Sequence, residues 1–233
     1  MKKNVPFIFY SFFSVVVMVS CIHKNKEDNE VRTYQESVIK KALGSHEKLN
    51  YIYYPDSIIK EVFKLNGLGE KQGRIISFSP KGKLKRIYFI NNTGNVVGDE
   101  SVFNNTGILS EHFFRLDIET LLFYSKFNNQ GSLIVEQGHP WFLQGLSDVQ
   151  LGDTLVYYIA CPLIPNFKTH VKFGMSEEPS SWVSYSNDLR QFTYKRIMIE
   201  EGRHKFNLKV EIRNKENKIV IKDSTNIFVN VYR

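Results

Sequence analysis

The chain has 233 residues, enough for one large or two modest domains with buried cores. Aromatic residues make up 14% of it, with 18 Phe and 12 Tyr, and such side chains favour strands over helices. The formal net charge is +7, and the densest basic stretch, residues 81–86, lies across a predicted turn. We therefore expect a mainly β protein and no nucleic-acid binding, which needs a continuous basic track.

Residues 1–20 have the pattern of an export signal. Lys2 and Lys3 precede an apolar run from Val5 to Val19, which has the length of a signal peptide. A spanning helix needs about 20 apolar residues, so this run is too short for one. Removal of residues 1–20 takes away two lysines and lowers the formal charge from +7 to +5.

The end of this run, Met18-Val19-Ser20-Cys21, resembles the lipobox of bacterial lipoproteins. The resemblance implies that a diacylglycerol is attached to the Cys21 thiol and that the chain is cut just before it. Several acyl chains would hold such a protein firmly to a membrane. Ile22 follows instead of the aspartate that favours inner-membrane retention, which implies the outer membrane of a bacterial envelope. The alternatives are an ordinary cleaved signal or a short anchor helix.

With Cys21 acylated, Cys161 is the one cysteine left. No intrachain disulfide can form, so the cores must hold the fold together. Pro162 follows Cys161, a strand pattern precedes it and no activating motif accompanies it. We expect Cys161 to be a small buried residue and not a nucleophile.

The segment 21–48 is predicted to carry the lipidated cysteine, a polar tether over residues 22–30 and one short helix. Apolar residues recur there at helical spacing, and Gly44 supplies a stop. The apolar stripe consists of Val31, Tyr34, Val38, Ile39 and Leu43.

A repeated turn pattern begins after Tyr53. Each copy has a large apolar residue four before an anchor, Pro or Asn two before it, and Ile, Leu or Val two after it. The anchors are Ser57, Gly82, Gly94, Gly107 and Gly131. Pro or Asn suits the first central position of a type I turn, and an anchor with positive φ completes a bulged hairpin. The gaps of 25, 12, 13 and 24 fit a unit of about twelve residues, with two units less clearly marked.

Strands joined by such turns form an antiparallel meander, which we assign to residues 49–145. The predicted strands are Ile58–Leu65, Gly73–Ser79, Lys83–Ile90, Asn95–Phe103, Ile108–Arg115, Leu121–Phe127 and Ser132–Glu136.

This pattern resembles MORN-type repeats, in the variant of bacterial antitoxin-component-like proteins. The family's unit is Tyr-Tyr-x-x-Gly-x-Leu-x-x-Glu. The segments that come closest to it are Tyr53-Tyr54-Pro55-Asp56 and Gly107-Ile-Leu-Ser-Glu111. In the segment from Gly131 to Glu136, we align Glu136 with the glutamate of the unit. Ser57 replaces a glycine, and Ile87 stands where the unit at Gly82 would have its glutamate. The resemblance implies the fold, but lipid or toxin binding cannot be transferred with it.

The pattern breaks between Gly138 and Gly145, and a second domain is predicted over residues 146–233. Phe206, Leu208, Val210 and Ile212 alternate with polar residues, as in a strand with one buried face. Its seven strands are one after the turn at Leu151, then Thr169–Phe173, Trp182–Tyr185, Phe192–Ile199, Lys205–Arg213, Lys218–Lys222 and Asn226–Tyr232. Their number and spacing resemble an immunoglobulin-like β-sandwich in architecture alone, because the paired core cysteines are missing.

Short catalytic signatures are absent: there is no Gly-x-Ser-x-Gly, phosphate loop, His-Glu-x-x-His or Cys-x-x-Cys. We therefore predict no enzyme activity, although triads assembled from distant residues stay open. The six histidines are dispersed, and Glu177-Glu178 are adjacent acids in a loop. No metal and no cofactor is predicted.

A single-layer sheet exposes part of both faces, so some of its aromatic side chains are candidates for a binding groove. The candidates are Tyr88, Phe89, Phe103, Phe113, Phe114 and Phe123. The sequence thus predicts a membrane-anchored envelope lipoprotein that acts as a non-catalytic binding or scaffold module, with a protein or glycan partner on its repeat surface. The alternatives are a structural accessory subunit of an envelope assembly, docked through the sandwich, and an immunity or antitoxin-like protein.

Overall fold

The computed structural model describes residues 28–43, 48–175, 183–184 and 191–233. Within these ranges one helix, α1 at residues 28–43, precedes sixteen strands, so the predicted mainly β class with one short N-terminal helix is confirmed. The lipidation candidate Cys21, the helix stop Gly44 and the acids Glu177 and Glu178 lie outside the described residues.

The first eight strands form one sheet in which each strand pairs antiparallel with the next along the chain. This is the predicted meander, extended by an N-terminal edge strand that the sequence pattern did not predict. The strands are β1 Asn50–Tyr53, β2 Ile59–Leu65, β3 Lys71–Phe78, β4 Leu84–Ile90, β5 Val96–Phe103, β6 Leu109–Arg115, β7 Leu121–Phe127 and β8 Leu133–Gly138.

Six of the seven hairpins of this sheet share one geometry. In the fifth of them, Asn104 N donates to Ile108 O at 2.8 Å and Gly107 N donates back to Asn104 O at 2.9 Å. The residue in the glycine position has positive φ in six of the hairpins, at Ser57, Gly69, Gly82, Gly94, Gly107 and Gly131. The two units that the sequence marks weakly are the hairpins at residues 66–70 and 116–120.

An asparagine three residues before the glycine fastens four of these turns. Oδ1 of Asn104 accepts hydrogen bonds from Thr106 N and Ile108 N, both at 3.0 Å, which is the local bonding that makes asparagine a turn residue. The sequence pattern had drawn attention to the next residue, Asn105, whose side chain is exposed. The same bonds recur at Asn66, Asn91 and Asn128.

The sheet has a covered face and an open face. On the covered face one row of paired residues crosses seven strands: Val62, Ile76, Ile87, Ser101, His112, Ser125 and Glu136. Helix α1 lies on this side, where the Gln35 side-chain amide bonds to N and O of Ile59 at 3.2 and 2.9 Å. Arg74 Nη1 also donates to Ala42 O at 2.8 Å.

The remaining strands form two sheets, ordered β10-β16-β15-β12-β13 and β14-β11-β9. Their aromatic rings meet between the sheets: Tyr157 of β11 lies 5.3 Å from Phe173 and 6.3 Å from Phe206 on the other sheet. The result is a two-layer sandwich. Its strands are β9 Phe142–Gly145, β10 Asp148–Gln150, β11 Thr154–Ala160, β12 Lys168–Met175, β13 Val183–Ser184, β14 Gln191–Ile197, β15 Gly202–Arg213 and β16 Ile219–Tyr232.

Four local predictions differ from the structure. Residues 28–30, expected to belong to the polar tether, are the first residues of α1. Strand β9, expected to be linker on the repeat side of residue 146, pairs with β11 and belongs to the sandwich. The three-residue strand β10, which pairs parallel with β16, was not predicted. Two strands were expected between residues 218 and 232, but β16 is continuous because β15 is long enough to pair with it even at Asp223 and Ser224.

The meander, α1 and the sandwich share one hydrophobic core. Ile39 of α1, Phe123 of β7 and Phe206 of β15 belong to a single contiguous cluster of buried residues. Phe127 and Phe167 pack across the boundary with ring centroids 5.4 Å apart. Removing either unit would therefore expose the core of the other.

We predict that Asn104→Ala lowers the free energy of unfolding by about 1–2 kcal/mol, because two turn hydrogen bonds are lost. Asn105→Ala, one residue away and exposed, should change it by less than about 0.5 kcal/mol. Urea unfolding of both variants measures the difference. Equal stabilities would contradict the assigned turn role of Asn104.

Candidate functional site

A buried polar cluster lies where the covered face meets the sandwich. Ser101 Oγ is 2.9 Å from Nδ1 of His112, and Nε2 of the same ring is 3.3 Å from Oδ1 of Asp99. Asp99 Oδ1 also accepts a hydrogen bond from Leu163 N at 2.8 Å, which links β5 to the sandwich. Residues of this row are apolar at β2 to β4, beside α1, and polar from β5 onward, so the polarity changes where the cover changes from helix to sandwich.

This cluster has the residue types of a catalytic triad but not an accessible one. Ser101 is 3% exposed and His112 is 0% exposed, so no substrate can reach the hydroxyl in this structure. The serine hydroxyl also lies beside Nδ1 of the histidine and the aspartate beside Nε2, whereas in a catalytic triad the serine contacts Nε2 and the aspartate Nδ1. We therefore treat the cluster as a connection between the two units.

Cys161 is fully buried beside the same cluster. Burial, and then the negative charge of Asp99, raise the pKa of its thiol well above its usual value. A thiol held protonated in this way is a poor nucleophile.

A second connection between the units is centred on Asp223. Its Oδ2 accepts hydrogen bonds from His139 Nδ1 and Trp141 Nε1, both at 2.8 Å. Burial alone would raise the pKa of Asp223, but the hydrogen bonds from His139, Trp141 and Ser224 outweigh it and lower the pKa. The negative charge thus stays available to hold the segment after β8 against β16.

The open face carries an ion cluster at its centre. Arg86 Nη2 lies 2.7 Å and Arg86 Nε 2.8 Å from Glu100 Oε1, and Arg115 Nε lies 3.7 Å from Oε2 of the same carboxylate. Glu100 is only 8% exposed, whereas the side chains of Arg86 and Arg115 are 35% and 25% exposed. Two guanidinium groups therefore share one carboxylate.

Aromatic rings support both arginines. The Arg86 guanidinium lies 4.2 Å from the ring centroid of Tyr88, and that of Arg115 lies 5.1 Å from the ring centroid of Phe113. Tyr124 packs on Phe113 with centroids 5.1 Å apart. Such cation–π contacts hold long side chains in defined positions.

Tyr88 is fixed at both ends. Its hydroxyl donates to Glu61 Oε1 at 3.0 Å. Burial raises the pKa of Tyr88 to about 12, with Glu61 adding to the rise and Arg86 opposing it. The ring is therefore neutral at physiological pH and oriented by its neighbours.

The six aromatic candidates divide between the two faces. Phe103, Phe114 and Phe123 are buried in the core, and Phe89 is partly buried opposite Arg74 on the covered face. Tyr88 and Phe113 lie on the open face.

Sequence reasoning missed Arg86, Glu100 and Arg115, although a signal for this face was present. Phe63, Tyr88 and Phe113 each follow an anchor by six residues and recur every 25 residues. Glu136, by contrast, follows its anchor by five residues where Glu111 follows by four. It pairs with Ser125 in the covered-face row, so the two glutamates are not equivalent.

The five turn anchors lie at the ends of the sheet and away from the open-face cluster. Because the strands alternate in direction, Ser57, Gly82, Gly107 and Gly131 lie at one end and Gly94 at the other. Helix α1 passes over the first end so closely that a Cβ atom at Gly82 would collide with Val31, and one at Gly107 would lie 3.3 Å from the Tyr34 hydroxyl. These two glycines serve the helix as well as the turn.

A groove of about 910 Å³ lies between α1 and the edge strand β1. Its floor is apolar, and the helix contributes a polar wall. The floor includes Leu49, Tyr51, Tyr53, Ile58 and Ile59, and the wall includes Asp28, Arg32, Glu36 and Lys40.

Within the described residues, no group of three or more His, Cys, Asp or Glu side chains is arranged to hold a metal ion. None of the helical residues that the structure describes forms a segment long and apolar enough to cross a membrane. No protein-family model matches the chain, and a search of curated proteins found no match to it.

We predict that Asp99→Ala lowers the free energy of unfolding by about 2 kcal/mol, because Leu163 N loses its acceptor and His112 Nε2 loses the carboxylate 3.3 Å away. Glu119→Ala removes an exposed carboxylate from a hairpin and should cost less than about 0.5 kcal/mol. Chemical unfolding followed by far-UV circular dichroism compares the two. If Asp99→Ala proved as stable as the control, the cluster would not be a connection between the units.

Proposed function

We propose that this chain is a lipoprotein of the bacterial cell envelope that binds a protein partner, without catalysis, on the open face of its eight-stranded sheet. The observation that carries the proposal is the cluster of Arg86, Glu100 and Arg115 supported by Tyr88 and Phe113. The protein is held by a diacylglycerol on Cys21, at the outer membrane, as the lipobox-like sequence and Ile22 suggest.

The composition of the cluster favours a protein partner. Tyrosine and arginine are the side chains that most often dominate protein interfaces. Here both are partly buried and already oriented, so little conformational entropy is lost when a partner binds. The partly exposed guanidinium groups of Arg86 and Arg115 favour acidic groups on the partner. A glycan is the competing ligand, and the experiments below distinguish the two.

We also propose that the meander is of the MORN type. Support comes from the unit of two strands and about 25 residues, which returns Phe63, Tyr88 and Phe113 to the same face. This assignment concerns the repeat and carries no ligand with it.

A photo-reactive amino acid at Val102 tests the open face in cells. Val102 pairs with Arg86 and Glu111 in the register of this face, so the probe lies inside the cluster without replacing a member of it. We expect one protein adduct of defined mass after irradiation. The same probe at Tyr158, which is 43% exposed on the sandwich, is the control and should not form that adduct.

Arg115→Ala, added to the Val102 probe, should reduce the adduct about thirtyfold, since truncation of a dominant interface residue costs about 2 kcal/mol. Lys209→Ala, an exposed cation on the sandwich, should leave the yield unchanged. Equal yields from both variants would contradict the proposal. Absence of any protein adduct, with retention of the chain on purified cell-wall glycan that Arg115→Ala abolishes, would replace the protein partner by a glycan.

The anchor has its own test. We predict that cells fed a radiolabelled fatty acid label the chain, and that Cys21→Ser removes the label and the signal-peptide cleavage together. Cys161→Ser should keep both, because Cys161 is buried. Label that persists in Cys21→Ser would exclude the lipobox assignment and leave the open-face proposal to its own test.

A further inference from the structure

Strand β1 forms one edge of the meander. Among the described strands it pairs with β2 alone. Its sequence, Asn50-Tyr51-Ile52-Tyr53, has no lysine, proline or charge, and the last three side chains are 42%, 37% and 54% exposed. Edge strands of this kind offer their backbone donors and acceptors to another extended strand, and proteins usually block them.

The helix beside this edge carries a stripe of alternating charge. Residues four apart on a helix lie above one another on the same side. Asp28, Arg32, Glu36 and Lys40 have this spacing and all line the groove beside β1. Arg32 and Glu36 already form an ion pair within the helix at 3.1 Å, and the stripe as a whole carries no net charge.

We propose that the occupant of this edge is a second copy of the chain, so that β1 pairs antiparallel with β1 of the other copy about a twofold axis normal to the sheet. The two meanders then form one continuous sheet of sixteen strands. The open faces of both copies stay on the same side, and both helices α1 stay on the other side. Such twofold contacts use the same surface on each subunit.

Charge complementarity supports the second copy over other extended segments. A twofold axis normal to the sheet makes the two helices antiparallel. When the axis lies level with residue 34, the stripe matches itself in that direction: Arg32 of each copy then faces Glu36 of the other, and Asp28 faces Lys40. Parallel helices in the same register would instead place like charges opposite each other.

The strand and the stripe have different roles in this contact. Exposed ion pairs contribute little energy one at a time, so the backbone pairing of β1 and the burial of Tyr51 and Tyr53 provide most of the stability. The stripe selects the antiparallel orientation and rejects mismatched partners, as charges at interfaces commonly do. The contact is separate from the open-face cluster, and failure of one proposal leaves the other standing.

Charge reversal on the helix tests the contact. The full-length chain, solubilised in detergent, is compared by sedimentation equilibrium with Arg32→Glu and with Glu36→Arg. Each variant alone places like charges across the seam, and we expect each dimer to be at least tenfold weaker than that of the unmodified chain. An equimolar mixture of the two variants restores opposite charges at both sites and should form heterodimers with an affinity close to the original.

Matched variants control for folding and for the anchor. Lys41→Glu changes an exposed charge on the same helix outside the groove and should not weaken the dimer. Every chain carries the same anchor, so sharing of a detergent micelle cannot account for a difference among them. Ile52→Lys places a charge in the edge strand and should weaken the dimer at least tenfold. Its circular dichroism spectrum should equal that of the unmodified chain, which shows that the variant is folded.

Three results would overturn the proposal. They are a full-length chain that is monomeric at every concentration tested, single charge variants that dimerise as well as the unmodified chain, and a variant mixture no tighter than its components. Weakening by Ile52→Lys together with normal pairing of the charge variants would contradict the antiparallel helix arrangement.

Discussion

The structure depends on the hairpin that recurs along the meander. A residue of positive φ closes the bulge in six copies, and in four of them an asparagine oxygen accepts from two backbone N–H groups. The bulge fixes the number of residues per strand, and the number of residues decides which face each side chain takes. The repeated turn therefore places Val62, Ile76 and His112 on the covered face and Arg86 and Glu100 on the open one. A change of one residue in a single strand would exchange these faces beyond it.

The two faces use buried polar groups differently. On the covered face, Asp99 satisfies a backbone group of the sandwich and faces His112, so its polarity joins two units that also share apolar core. On the open face, Glu100 is slightly more buried than Asp99 but joins two arginines that reach solvent. A carboxylate in the first setting holds the fold together, whereas in the second it fixes two cations at the surface.

Much of the meander could be predicted from the sequence because its information is local. Positive φ at Gly94 and Gly107 and the apolar residues flanking them depend on neighbours within a few positions. Strand β1 lacks that local pattern and was not predicted. Strand β9 was not predicted either, because it forms between Gly138 and Gly145 through pairing with the distant β11. The cluster of Arg86, Glu100 and Arg115 could not be predicted for the same reason, since their contacts join residues 14 and 15 apart across three strands. The charge stripe of α1 was visible in the sequence, but its position beside an edge strand was not.

Because β1 and β8 run in opposite directions, the chain enters and leaves the meander at the same end of the sheet. Lengthening such a protein is then constrained to steps of two strands. An insertion of about 25 residues adds a pair and returns the exit to its original end, beside the segment that leads into the sandwich. An insertion of about twelve would bring the chain out at the opposite end of the sheet, and the segment after β8 would no longer lead into the sandwich from the end that it uses here. Entry and exit therefore stay at one end only when strands are added in pairs.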